Sequence, residues 1–195
     1  MTQTDQTSER ERIMAAAYDL LAASDGTSVS VTDILTKAGL STRAFYRHFD
    51  SRDALLTAMF RRDSDRVVAA VRKRSDTAGT ARAALKTWID DMLALSEDPR
   101  RRRRALVLNS EEVGRARGYQ EEQERYRSAH EEALTRILEQ GREDGTLPRA
   151  RPSSDAAHIV AALHQALARQ MSGASGAPAA EVAASLLDFV LRALT

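Results

Sequence analysis

Two helix starts eleven residues apart, with a glycine between them, constrain this chain more than any other feature of it. Ser30 stands as an N-cap with Asp33 three residues later, a pair in which each side chain satisfies a free backbone N–H of the other residue. Val29 and Ile34 flank the cap where a hydrophobic staple packs. Ile34, Leu35 and Ala38 supply an apolar helical face, and Gly39 stands where a residue of positive φ ends the helix. Leu40 and Ser41 repeat the start at once, with Ser41 as a second N-cap and Leu40 able to staple onto Phe45. Two capped helices joined by so short a turn must cross steeply. That is the helix-turn-helix arrangement, whose second helix enters a DNA major groove.

The second helix, Thr42 to His48, carries Thr42, Arg43 and Arg47 on its polar side, with Tyr46 beside them. Arginine takes O6 and N7 of guanine in a bidentate fork, while Tyr, Thr and the N–H groups of a helix start suit phosphate. A third helix starts after Asp50 and Ser51, where Arg52 in its first turn is placed to meet another phosphate. The DNA-binding set expected from this stretch is Ser30, Thr32, Ser41, Thr42, Arg43, Tyr46, Arg47, His48 and Arg52.

At these residues the chain resembles the TetR-type family of bacterial one-component repressors. The loose family motif runs Thr or Ser, Ile-Ala, Ala-Gly-Val-Ser, a variable pair, Tyr, a variable residue, His-Phe and Ser-Lys-x-x-Leu. It stands here as Ser30, Ile34-Leu35, Ala38-Gly39-Leu40-Ser41, Tyr46-Arg47-His48-Phe49 and Ser51-Arg52-Asp53-Ala54-Leu55. The resemblance covers roughly the first third of the chain and extends beyond it only to length and helical content. It implies an all-α fold in which a three-helix DNA-binding domain precedes a helical bundle for ligand binding and dimerisation. It also implies that an apolar or amphipathic effector enters the bundle, tilts the linking helix and releases the DNA. Two departures matter. Leu35 replaces a usual small Ala, and Arg43 puts a long base-reading side chain where the family often has Gly or Pro.

Composition fits a cytoplasmic protein. The 195 residues suffice for one large or two small domains. Cysteine is absent, which excludes disulfides and thiolate metal sites. The N-terminus, MTQTDQTSERER, has no apolar signal core, and no run of about 18 apolar residues suggests a membrane span. Residues 1–60 hold six Arg and Lys against eight Asp and Glu, the wrong sign for a DNA binder. Placement reconciles this: Arg43, Arg47 and Arg52 surround the recognition helix, while Asp5, Glu9, Asp19 and Asp25 can face elsewhere. Counterion release depends on local contacts rather than net charge.

Along the chain, residues 1–8 read as a disordered arm and residues 9–52 as the DNA-binding domain. Its first helix spans about Glu9 to Ala23, with Gly26 soon after its end; Arg10 and Arg12 read as solvated charge, with DNA contact as the alternative. Residues 53–74 form a linking helix, and residues 75–195 an effector-binding and dimerisation domain. Within it, helices are expected over about 80–96, from the arginine run 100–104 onward, and over about 119–143, 153–171 and 178–194. The five arginines spread around their helix, and some are expected to pair with acids such as Glu121, Glu122 and Glu124; the alternative is a second patch for nucleic acid or an acidic ligand.

The bundle has more internal surface than dimerisation requires, which invites a ligand reading. Trp88, Met92, Asn109, Tyr126, His130 and His164 fall on or near inward faces, and an apolar pocket with a few convergent polar groups suits a small molecule. Each taken singly reads more plainly as core. The last two helices, rich in Ala and Leu, complete an intramolecular core or form a two-fold interface. DNA reading by one short helix favours the interface, since a symmetric pair doubles the half-sites. Leu163, Leu167, Leu186, Phe189 and Val190 are the residues expected there.

Enzyme readings lack support. Glu111 and Glu112 are neighbours and do not converge as acid and base must. The four histidines contain no HExxH or comparable ligand set, and no phosphate-binding glycine loop occurs. No metal and no cofactor are expected. The reading is a one-component transcriptional regulator, a repressor that binds a palindromic double-stranded DNA operator as a homodimer and is released by a small apolar or amphipathic molecule. The alternative is a helical ligand-binding or interaction protein whose N-terminal motif does not read DNA.

Overall fold

The computed structural model describes residues 3–24 and 28–195, with side chains from Ser8 onward. Among the described residues there are ten α-helices and no strand, as the sequence leads one to expect. They are α1 (Gln3–Ala23), α2 (Val31–Ala38), α3 (Thr42–His48), α4 (Arg52–Ser75), α5 (Ala81–Ala94), α6 (Pro99–Leu108), α7 (Glu111–Gly114), α8 (Tyr119–Glu143), α9 (Pro152–Ser172) and α10 (Ala179–Leu194).

The first helix starts earlier than its apolar pattern. Residues 3–8, expected in a disordered arm, are helical. Of these residues only Gln3 and Gln6 are good helix formers, but the segment extends a helix already anchored by Ile13, Met14 and Ala17, which are completely buried. Met1 and Thr2, the rest of that arm, lie outside the described residues, as does Gly26.

The chain divides into two compact units, though not where the sequence suggests. The first comprises residues 1–63 and 103–123; the second comprises 64–102 and 124–195. The boundary falls inside α4, because a continuous helix carries no local mark of where its neighbours change. Residues 103–123, expected in the C-terminal domain, belong to the first unit. Their attachment is visible in Phe60 and Tyr119, whose rings meet edge to face at 5.0 Å, and in the ion pair of Arg61 with Glu122.

In the first unit α1 packs against α2 and α3. Its core is Ile13, Met14, Phe45, Leu55, Leu56 and Met59. Tyr18 is buried among them and donates its hydroxyl to the Met59 carbonyl at 3.3 Å. In the second unit α10 lies on α5, and α9 packs against both. Helix α5 supplies the centre of this core, with Leu85, Trp88, Ile89, Met92 and Leu93 fully buried at helical spacing. Thr80 starts it as N-cap, accepting from the Ala83 N–H at 3.1 Å.

The arginine run forms the first turns of α6, with Pro99 at its first position and Asp98 accepting from the N–H groups of Arg100 and Arg101 at 2.8 and 2.9 Å. The expected glutamate partners are taken by other arginines: Glu122 pairs with Arg61 and Glu124 with Arg127. Arg104 instead approaches Asp63 at 3.6 Å and lies over the Tyr18 ring, while Arg102 donates to the Met171 carbonyl.

One glycine in the second unit is required by close approach. A Cβ on Gly141 would lie 2.6 Å from Leu147 Cδ1 and 2.8 Å from its Cγ. Leu147 is fully buried, and its N–H donates to the Gly141 carbonyl at 2.8 Å, so it has no room to retreat. Gly141→Ala is expected to cost about 1–3 kcal/mol by overpacking, read as a lower denaturant midpoint. Gly79, with nothing within 4 Å of its would-be Cβ and no positive φ, is the control. Gly79→Ala should leave the midpoint unchanged or raise it slightly.

Candidate nucleic-acid interface

The two short helices are fixed at both ends as their sequence requires. Ser30 Oγ accepts from the Asp33 N–H at 3.1 Å, and Asp33 Oδ2 accepts from the Ser30 N–H at 3.1 Å. Ser30 Oγ also donates to Asp33 Oδ2 at 2.6 Å, and this bond chiefly, with that from the Ser30 N–H, holds the Asp33 carboxyl below its usual range. Gly39 ends α2 in the left-handed region at φ 62°, ψ 42°. The following Leu40 N–H returns to the Leu35 carbonyl at 3.1 Å. Ser41 then caps α3, accepting from the Ala44 N–H at 3.2 Å. Val29, Ile34, Leu35, Ala38, Ala44 and Phe45 are all buried, as the apolar pattern predicts.

This leaves the polar face of α3 outward. Thr42 and Arg43 are exposed, and Arg43 makes no ion pair or side-chain hydrogen bond among the described residues. Tyr46 is 58% exposed, unusual for an aromatic ring, and rests edge-on against Phe45 at 5.4 Å. Ser30, Thr32 and Ser41 are exposed at the helix starts.

Three of the expected DNA-binding residues are engaged elsewhere. Arg47 Nη1 lies 2.8 Å from Glu9 Oε2 on α1, and His48 Nε2 lies 3.0 Å from the same oxygen. The bond with His48 chiefly, and the Arg47 charge with it, hold the Glu9 carboxyl below its usual range. Arg52 is held more fully. Its Nε donates to the Val29 carbonyl at 2.7 Å, and its guanidinium pairs with Glu112 of α7. Glu112 also accepts from the Val29 N–H at 2.8 Å. Arg52 therefore grips the chain entering α2 and is not a free phosphate contact. Its partner lies sixty residues away in sequence, where no local pattern reveals it. Arg12, read as solvated charge, donates to the Ala38 carbonyl at the end of α2.

The expected effector residues are brought together only in part. Trp88, Met92, Tyr126, His130 and His164 all lie in the second unit, whereas Asn109 lies in the first, exposed and accepting from the Tyr119 hydroxyl at 3.3 Å. Helix α6 ends at Leu108, so Asn109 never reaches the inward face assumed for it. A surface groove of about 510 Å³ runs between α5 and α10, lined by residues such as Arg82, Lys86, Asp90 and Leu187. None of the expected effector residues lines it.

A family model described as bacterial regulatory proteins, tetR family, matches residues 13–59. This stretch is similar to the N-terminal domain of the TetR family. Two relatives of that domain, both called uncharacterized HTH-type transcriptional regulators and both from Mycobacterium tuberculosis, are 40% identical over 57 residues. That segment is 29% of this chain and spans only 28% of theirs. Among solved structures of like fold is the transcriptional regulator FadR from Bacillus subtilis in complex with stearoyl-CoA, with a TM-score of 0.78 at 16% identity. The likeness covers 95% of this chain and 99% of that one. Another is the TetR family transcriptional regulator PfmR from Thermus thermophilus, with a TM-score of 0.68 at 24% identity over 95% and 97% of the two chains. The fold is that of TetR-family transcriptional regulators across both units.

The clamp of Arg52, Glu112 and Val29 gives a direct test. The Arg52→Ala and Glu112→Ala variants and their double variant should show a coupling energy of about 1–2 kcal/mol in thermal unfolding. Additive losses would mean that the pair holds nothing together.

Proposed function

We propose that this protein is a one-component transcriptional regulator that binds a palindromic operator as a homodimer and lets go of it when a small molecule binds. The observation that carries the DNA reading is Arg43, exposed and unengaged among the described residues on a seven-residue helix whose both ends are fixed. A guanidinium so presented meets guanine as a bidentate fork. Thr42, Tyr46 and the N–H groups at the start of α3 serve the phosphates, with Ser30, Thr32 and Ser41 beside them. Arg47 joins them by leaving Glu9. A partly exposed ion pair is worth at most about 1 kcal/mol, less than the roughly 1–3 kcal/mol of a bidentate base contact. His48 stays with Glu9 and steadies the helix. Arg52 acts from behind, as the clamp on the entry to α2.

A dimer supplies two such helices for a two-fold site. Of the residues expected at its interface, Leu163 and Val190 are excluded, since both are buried in the core of their own chain. Phe189 remains, 64% exposed, with Leu186 and Val182 partly buried at helical spacing along the same face of α10, and Leu167 on α9. An exposed phenyl ring beside half-buried aliphatic residues fits a helix-helix interface.

The effector reading rests on the second unit, whose fold is shared with a regulator solved with stearoyl-CoA. No helix among the described residues is long and apolar enough to cross a membrane. The proposed place of action is the cytoplasm, on the nucleoid when DNA is bound.

Selection of bound sequences from a random duplex pool tests the whole reading. It should enrich a palindrome with half-sites about one helical turn apart. Arg43→Ala should lose about 1–3 kcal/mol of operator affinity and relax preference at one base pair of each half-site. An unenriched pool would move the weight to an interaction protein that does not read DNA. Phe189→Asp should sediment as a monomer and bind operator weakly; a variant that stays dimeric places the interface on another surface.

A further inference from the structure

Four rings from three helices meet inside the second unit. Trp88 comes from α5, Tyr126 and His130 from α8, and His164 from α9. The His130 ring lies edge to face against Trp88 at 5.3 Å, Tyr126 at 4.5 Å and His164 at 5.5 Å. Tyr126 and His164 stack in parallel at 5.6 Å. Around them the core is aliphatic, with Leu85, Ile89, Leu134 and Leu163 fully buried.

The ring nitrogens of Trp88 and His130, and one of His164, have no hydrogen-bond partner among the described residues. His130 and Trp88 are completely buried, and the atoms concerned are His130 Nδ1, His130 Nε2, Trp88 Nε1 and His164 Nε2. Each buried polar atom left so costs about 1–3 kcal/mol, so leucine or phenylalanine would make a more stable core at these positions. Four such atoms in one place mark a site where stability yields to something else.

Their chemistry defines what would satisfy them. Burial, with His164 close by, pushes His130 down to about 3. Burial pushes His164 down as well, the Arg127 charge adding to it and Glu131 opposing it. Near neutral pH both imidazoles are uncharged, each with one N–H and one bare nitrogen. The indole only donates. The unpartnered set therefore holds at least two donors, from Trp88 and His130, and at least one acceptor, the other nitrogen of His130. None of the four side chains is a cation that would neutralise an anion.

Taking as given the effector-released regulator proposed above, we infer that Trp88, Tyr126, His130 and His164 form the polar end of its effector site. The ligand class is an uncharged aromatic compound carrying both a carbonyl oxygen and a hydroxyl. The carbonyl accepts from the Trp88 indole, the hydroxyl donates to a bare imidazole nitrogen, and the flat body meets ring faces and edges that already pack in these geometries. A carboxylate is disfavoured, because Arg127, the cation whose charge reaches His164, is already paired with Glu124 and Glu131, and because a carboxylate has no proton to donate. The rings touch one another, so a guest must part them.

Trp88 is the only tryptophan of the chain, so its emission reports on this site alone. The experiment is a titration of the full chain at pH 7 with 4-hydroxyacetophenone, read by the fluorescence lifetime of Trp88, which absorption of light by the probe does not distort. Ethylbenzene and 4-hydroxybenzoate serve as the apolar and the anionic comparison. The expected result is a saturable lifetime change with 4-hydroxyacetophenone and affinities at least tenfold weaker for the other two. His130→Phe and His164→Phe, each shown to be folded by circular dichroism, should each weaken the probe about tenfold, the worth of one hydrogen bond. If one variant fails to fold, the other and the probe series decide. No saturable change in the native chain, or equal affinity in native and variant chains, overturns the assignment and leaves the rings as core. Operator binding is scored separately, so failure to bind DNA sinks the regulator reading while the lifetime titration still judges the site.

Discussion

Helices of eight and seven residues do not persist alone in water, where about twelve to fifteen are needed even with favourable sequences. Everything in the first unit follows from making α2 and α3 stable despite their length. Their starts are closed by Ser30 with Asp33 and by Ser41, and the end of α2 by Gly39 and Arg12. Their apolar sides are buried against α1, and Glu112 fixes the segment of chain that enters α2. A helix secured in this way can offer its outer side chains in one orientation. The base-reading role proposed for Arg43 needs that, because a bidentate hydrogen bond tolerates little angular freedom.

The same requirement separates the arginines. Arg12 and Arg52 end on backbone carbonyls, which compensates the free C=O groups of a helix end and of the turn before α2. Arg47 pairs with the Glu9 carboxylate, and Arg43 with nothing among the described residues. Charge count alone suggested an unfavourable field for DNA. The acids that outnumber the bases are in part those engaged inside the unit, as Glu9 with Arg47 and Asp33 with Ser30, so they oppose phosphate less than their number implies.

What could be read in the sequence was whatever is local. Caps, the left-handed glycine and the apolar faces of α2, α3 and α5 lie within a few residues of one another, and their physics is complete at that range. Glu112 and Arg52 are sixty residues apart, and only the fold joins them. Leu163 and Phe189 show a different limit. Both sit on apolar stripes of helices rich in Ala and Leu, yet one is fully buried in its own chain and the other largely exposed. A face that seeks its own core and one that seeks a partner have the same composition, so periodicity cannot separate them. Asn109 shows a simpler limit: it is expected on or near an inward face, but the helix before it stops one residue earlier and Asn109 is exposed.

Departures from local consistency therefore differ between the two units. In the first, two unusual features have an evident reason: the buried end of Tyr18 reaches the Met59 carbonyl, and the positive φ of Gly39 closes a helix. In the second, the rings of Trp88, His130 and His164 keep polar atoms inside an aliphatic core with no protein group to receive them. Sequences that specify a fold agree at every level except where something other than folding is selected. Histidine at two such positions is a poor choice for packing, since it fills less space than phenylalanine and must surrender its charge to be buried. A core built for stability alone would have no reason to keep both.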